Sequence, residues 1–295
     1  MFKNYEKDLK IGNILGINVL SSPKDELLAR IELDLTHNVK FYIVTPNPEL
    51  IVMAQKNREL KKALNSAKYP IPDAIGISQA AKFLSFNLPR NKALRVVVGF
   101  FEGLAVGLST FINKKWLTSD ITPIKGRFFF NDLVNLANDH KWKVFLLGGE
   151  GDEAEIASRV VKKKYKKIQI EYSPGPKFYK NGDAVTEVDK RVQKDVIDKI
   201  NKFNPKLLFV AFGNPKQEIW IYKNFEKLDI GGAMAVGGTL RYVSGLSKLP
   251  PKWIENAGLE WLWRLITEPW RFKRILNAWP VFPWKVFLSK ISSIN

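Results

Sequence analysis

The chain has 295 residues, enough for one large domain or two small ones. Hydrophobic residues make up 45% and aromatic residues 12%, which supplies a full core and excludes a wholly disordered chain. Lys and Arg number 47 against 29 Asp and Glu, a formal charge of +18. The partners to look for are therefore anions: nucleic acid, phosphorylated metabolites or an anionic membrane surface.

In chain order, the opening stretch MFKNYEKDLK lacks the apolar core of a secretory signal. A short apolar run at 41–45 (FYIVT) reads as a strand and 48–68 as a helix. The segment 84–122 reads as an insertion. Its centre, Val96 to Ile112, is nearly uncharged but falls short of the about 20 apolar residues of a spanning helix. Lys92, Arg95, Lys114 and Lys115 bracket it, so a re-entrant or membrane-surface element stands beside a buried helix or hairpin. Gly99, Gly103 and Gly107 recur every four residues, on one helix face, where they allow close helix contact. Then helix and strand alternate: helices at 129–140, 152–166, 184–203 and 215–227, strands at 144–147, 168–172, 207–212 and 233–236. That alternation predicts an α/β fold, a Rossmann-like, mostly parallel sheet with flanking helices. Residues 1–245 form the expected α/β domain, and 246–295 a C-terminal appendage.

The last 45 residues hold six of the nine tryptophans, with seven basic residues against Glu255, Glu260 and Glu268. Tryptophan with Lys and Arg is the composition of a helical, membrane-associating tail on an anionic bilayer. The alternative is a C-terminal helix docked by its aromatics onto the body.

Catalytic options are few. There is no cysteine, and His37 and His140 are the only imidazoles, which excludes a disulfide scaffold, an iron–sulfur cluster, a thiolate zinc site and a Cys nucleophile. No Asp-x-Asp pair is present, so an Mg²⁺ bridge to a diphosphate has no obvious protein ligand; no cofactor is expected. Ligands of open α/β sheets bind beyond the carboxyl ends of the strands, and five turns fall there. Thr45-Pro46-Asn47-Pro48-Glu49 has Asn47 placed as an N-cap with Pro48 at N1; that role alone would account for the Asn. In Pro72-Asp73-Ala74-Ile75-Gly76, Asp73 is either a partly desolvated base or the cap of the next helix. Gly148-Gly149 and Gly213-Asn214 leave bare backbone where N–H groups can approach a phosphate, though neither turn is a dinucleotide or P-loop motif. Lys216, Gln217 and Glu218 follow in a first helical turn, where a Lys opposes the dipole unless an anion is near. Val236-Gly237-Gly238-Thr239 closes the set.

In this order, the turns resemble the WecG/TagA/CpsF glycosyltransferases. The resemblance spans 11–83 and 123–275 and adds Gly245, the string GLEWLWRL at 258–265 and Glu268-Pro269-Trp270-Arg271-x-x-Arg274. It implies transfer of a sugar, N-acetylmannosamine or a related one, from a UDP donor to a polyprenyl-diphosphate-linked N-acetylglucosamine, with inversion and without metal. The work would be done in the cytoplasm, peripherally on the inner face of the cell membrane, in teichoic acid or other surface polysaccharide synthesis. On that resemblance Asp73 is the base, and Thr45 and Asn47 line its pocket. Gly148, Gly149, Gly213, Lys216, Gln217, Gly237, Gly238, Arg264, Arg271 and Arg274 take the donor diphosphate, the three arginines from one helical face. Membrane docking would fold the tail over the site, and truncation near residue 250 would leave a soluble fold with little activity.

The chain departs from the family pattern at three places. Thr122 to Phe128 lacks the usual Glu, Arg and Asp, with Lys125 or Arg127 as substitute cations. Leu240-Arg241 stands where Phe-Asp is usual. Lys248-Leu249-Pro250-Pro251 replaces Lys-Arg-Ala-Pro. Arg241 and the missing Glu and Arg speak for the rival reading, a non-catalytic membrane-peripheral binding protein on a degenerate transferase fold; Asp73, Thr45 and Asn47 speak against it. Nucleic acid is rejected as a partner, because the cluster Lys162–Lys164 with Lys166 and Lys167 reads as a solvated helix end and no RNA- or DNA-binding string is present. Homo-oligomerisation is left open.

Overall fold

The computed structural model describes residues 9–247, 249–256, 260–269 and 272–292. The chain opens with a hairpin, β1 (Ile11–Ile14) and β2 (Ile17–Leu20). It continues with α1 (Lys24–Thr36), β3 (Phe41–Val44), α2 (Pro48–Ala54), α3 (Arg58–Asn65), β4 (Tyr69–Pro70), α4 (Ile75–Ser85), α5 (Lys92–Ile112) and α6 (Lys114–Leu117). Next come α7 (Gly126–Asp139), β5 (Lys143–Gly148), α8 (Glu153–Lys164), β6 (Gln169–Ser173), α9 (Glu187–Phe203), β7 (Leu207–Ala211), α10 (Lys216–Asn224), β8 (Gly232–Ala235) and α11 (Thr239–Val243). The tail holds α12 (Lys252–Asn256), α13 (Glu260–Thr267), α14 (Phe272–Leu276) and α15 (Phe282–Ser292).

β3 to β8 form one six-stranded sheet in the order β4-β3-β8-β7-β5-β6, and every pairing in it is parallel. Alternate residues of each strand go to opposite faces. Tyr42, Val44, Phe145, Leu147, Leu208 and Val210 enter one apolar cluster, while Phe41, Ile43, Val144, Leu146, Leu207 and Phe209 enter the other. Helices cover both faces, which is why these strands read as unbroken apolar runs. The helices leaving the neighbouring strands β3 and β8 part company: α2 packs in the first cluster and α11 in the second. A crevice opens where they separate, beyond the carboxyl ends of the strands.

The α/β expectation holds, with the five expected strands in place. Three details differ. The helix expected over 48–68 is two, because Asn57 caps a new start by accepting from Leu60 N at 3.0 Å. The 84–122 segment is neither a hairpin nor a buried helix: α5 packs its inner side on α4, α6 and α15 and leaves its outer side exposed. Of its glycines, Gly99 lies against Leu88, Phe287 and Ile291 and Gly103 against Phe83, while no described residue comes within 4 Å of where a Cβ on Gly107 would stand. In the tail, Phe282 and Val286 of α15 are 2% exposed and belong to the main core. Truncation near residue 250 would remove core, so the soluble truncated fold expected from sequence does not follow.

Candidate active site

A cleft of about 790 Å³ runs along the carboxyl edge of the sheet. The turns after β3, β5, β7 and β8 and the segment after β4 all line it. After β3, Asn47 caps α2 by accepting from Leu50 N at 2.9 Å, with Pro48 as the first helical residue. Its capping role and its place in the cleft coexist. Thr45 lies beside it on the cleft wall.

Asp73 also lines the cleft and is half-buried. Its N–H donates to Pro46 O at 2.9 Å, and Ile124 N donates to Pro72 O at 2.8 Å. The peptides around Asp73 are thus tied to the β3 turn on one side and to the approach to α7 on the other. The N-cap of α4 is Ala74, at φ 79° and ψ 149°, so Asp73 is not the helix cap. A non-glycine residue at such a φ costs about 1–3 kcal/mol and persists only where the surroundings fix it. The two backbone ties supply that fixing. Gly76 has a separate cause: a Cβ there would come within 2.7 Å of Pro48, so α4 can start against α2 only with glycine.

The turns after β7 and β8 are joined by one side chain. Gln217, 1% exposed, accepts through Oε1 from Gly213 N at 3.2 Å and Gly237 N at 2.9 Å. Its Nε2 donates to Asn214 Oδ1 at 2.9 Å and to Glu218 Oε1 at 2.8 Å. Both lone pairs and both N–H groups are therefore engaged within the protein. The glycine amides expected to approach a phosphate have partners within the protein: the N–H groups of Gly213 and Gly237 point at Gln217, and that of Gly149 donates to Ala211 O at 3.0 Å. The positive φ values of these three glycines, 74°, 53° and 93°, shape the turns. Gly148 is not part of the cleft lining; it is packed under Phe212 and Ala211. Gly238 differs: its φ is −77° and nothing lies within 4 Å of where its Cβ would stand. The fold does not require glycine there.

Among the described residues six cationic ones line the cleft: Lys125, Arg127, Lys177, Lys216, Arg241 and Arg274. Arg274 Nε meets Glu49 Oε1 at 2.6 Å, so the tail is fastened to the rim at α2. Arg241 lies 3.7 Å from carboxylate oxygens of both Glu150 and Glu153. Burial pushes the Glu153 carboxyl above its usual range, against the opposing pull of Glu150 N and Arg241. The base that replaces an acid at position 241 therefore has acids facing it across the turn after β5. The side chains of Arg264 and Arg271 lie outside the described residues. The helical face expected to carry the three arginines, subject to a bend at Pro269, therefore falls partly outside them; α13 ends at Thr267 and α14 begins at Phe272. Pro269 lacks the N–H to carry the helix through, and Glu268 before it is biased away from the helical region.

Three further acids escaped the sequence reading. Glu49 and Glu268 line the cleft, the latter 6% exposed. Glu218 is fully buried behind Gln217. Burial pushes its carboxyl up to about 7, helped by Glu49 and opposed by Gln217 and Arg274. All three stand inside the quoted strings, but Glu49 meets Arg274 from the far end of the chain, which the strings alone did not show.

A family model described as the glycosyl transferase WecG/TagA/CpsF family matches residues 12–100 and 104–295. It takes in the whole tail and, of the segment read as an insertion, leaves out only 101–103. A protein of Bacillus subtilis named N-acetylglucosaminyldiphosphoundecaprenol N-acetyl-beta-D-mannosaminyltransferase is 29% identical over 235 residues, 80% of this chain and 75% of the relative. Its namesake from Staphylococcus aureus is 23% identical over 282 residues, 94% of this chain and 92% of the relative. With the motif-bearing turns gathered around one cleft and the match running almost end to end, the chain belongs to the WecG/TagA/CpsF glycosyltransferases.

Proposed function

We propose that the chain transfers an N-acetylmannosaminyl or closely related residue from a UDP donor to a polyprenyl-diphosphate-linked N-acetylglucosamine, with inversion and without a metal ion. The sugar and acceptor follow the names of the relatives. The observation that carries the chemistry is a half-buried carboxylate, Asp73, in the same cleft as Lys125, Arg127, Lys216 and Arg274. Asp73 takes the proton of the acceptor hydroxyl as that oxygen attacks the anomeric carbon. The bond from that carbon to the donor diphosphate breaks on the opposite face, so the anomeric configuration inverts. The departing diphosphate gathers negative charge, which the cations stabilise through charge-assisted hydrogen bonds. Thr45 and the Asn47 amide flank Asp73 and orient the acceptor sugar. Gln217 acts one step removed, by holding the turns after β7 and β8 at a fixed spacing.

A lipid-linked acceptor sets the place of work at the cytoplasmic face of the cell membrane, with the protein attached peripherally and its products entering teichoic acid or related polysaccharides. The counter-charges on Arg241 weaken one ground for a degenerate, non-catalytic site; the missing Glu and Arg of 122–128 are the other.

The test is incubation with a panel of UDP-sugars and a short-chain lipid-diphosphate-GlcNAc analogue, with and without a chelator, reading the disaccharide lipid by mass. Product is expected in both conditions, with Asp73→Asn slower by about 10²–10⁴-fold. A chelator-abolished reaction would remove the metal-free mechanism, and wild-type rates from Asp73→Asn would remove Asp73 as the base.

A further inference from the structure

We propose that α5 is the membrane-docking element of this protein, lying in the plane of an anionic bilayer with its outer face among the acyl chains. α5 is 21 residues long, about 32 Å at the helical rise. Its outer face presents Val97, Phe100, Phe101, Leu104, Leu108 and Phe111, each 51–70% exposed. From Ala93 to Ile112 every exposed position is uncharged. The helix's internal charges turn the other way. Arg95 is 6% exposed, and its guanidinium donates to Pro89 O, Arg90 O and Ile291 O at 3.0, 2.7 and 2.9 Å. Glu102 is half-covered, with one carboxylate oxygen out of water. An apolar surface of this extent on a soluble chain marks a partner.

The flanks identify the partner as lipid rather than a second copy of the chain. Arg90 precedes α5, Lys92 is its first residue, and Lys114 and Lys115 follow it, all exposed. Two such faces brought together would bring cations near cations on a molecule already at +18, whereas anionic headgroups would meet them on both sides. Trp116, beside the second pair, and Trp279 and Trp284 of the tail are exposed and are of the type that favours the headgroup level.

The inner side fixes the orientation. α4, α6 and α15 pack along it, and a spanning pose would drag them into hydrocarbon with their own charges, Lys82, Lys285 and Lys290 among them. An in-plane pose buries the outer face and leaves these in water. The pose also bears on the site. Gln79 of α4 donates to Thr110 of α5 at 2.7 Å, while Phe83 faces Gly103, so the Lys114–Lys115 end of α5 lies toward the start of α4, where Asp73 stands. A lipid diphosphate held at that end is on the cleft's side of the docked helix; this last step rests on the proposed function.

The experiment is co-sedimentation of the full chain with phosphatidylcholine vesicles, with and without phosphatidylglycerol, in the absence of any substrate. Its outcome is therefore independent of the transferase assay. The combined variant Phe100→Gln, Phe101→Gln, Leu104→Gln and Leu108→Gln should lose at least tenfold in vesicle partitioning while keeping its circular dichroism and melting temperature. Lys114→Gln with Lys115→Gln should lose binding severalfold on anionic vesicles and little on neutral ones. Wild-type partitioning by the combined variant would overturn the proposal. So would a wild-type dimer in solution that ignores vesicles and that the combined variant dissolves.

Discussion

The cleft rim and the outer face of α5 treat water in opposite ways. At the rim, the polar groups of the turns are turned on each other: Gln217 has no hydrogen-bonding capacity left over, and Arg274 and Arg241 face acids of the same chain. On α5, apolar side chains that could have filled a core are left uncovered. The lesson is that the two regions are complete to different degrees. The rim is set before any ligand arrives, whereas α5 is shaped for something the chain does not itself provide.

Removing the rim's central side chain tests that contrast most strongly. Gln217→Ala leaves two backbone N–H groups and two side-chain oxygens without their partner, and each unsatisfied buried group costs about 1–3 kcal/mol. We expect a loss of about 3 kcal/mol or more in denaturant unfolding, beside little or none for the α5 variants. Equal melts for Gln217→Ala and wild type would erase the distinction.

Glu218 sharpens it through pH. Its carboxyl is ordinarily near 4.5 and stands at about 7 in the fold. Between those values the folded chain keeps a proton that the unfolded chain has lost, so stability falls as pH rises across the window and levels off above it. The span corresponds to roughly 3 kcal/mol. Glu218→Gln removes the ionisation and should flatten this part of the stability–pH curve. Parallel curves for variant and wild type would show that the buried acid contributes nothing.

The smallest effect on stability is expected at Gly238. Alanine meets nothing within 4 Å there and φ is ordinary, so the melting temperature should stay within about 1–2 °C, the scale of a surface change below 0.5 kcal/mol. Transferase activity should fall about tenfold as the methyl group enters the cleft. Unchanged activity would mean that the space beside Gly238 holds no substrate.

The buried strands were legible because each is an apolar run bounded by Gly, Pro, Asn or Asp, and the turns after them carried most of the site. The hairpin β1–β2 was not, since its turn is Leu15-Gly16 at φ 52° and 77° and Leu gives no hairpin signal at such a position. β4 is only two residues, one of them proline. The break between α2 and α3 was hidden because Asn57 looks the same in mid-helix as at a cap. Pairings such as Arg274 with Glu49 join residues from opposite ends of the chain, and no local spacing announces them.

The tail segment from α14 to α15 is held by an arginine at each end. Arg274 grips Glu49 at the mouth of the cleft, and the carbonyl of Ile291 is gripped by Arg95 of α5. The same stretch of backbone is thus a strut between the greasy helix and the mouth of the cleft. A load placed on one anchor is borne by the other, so lodging α5 in lipid would be felt at that mouth.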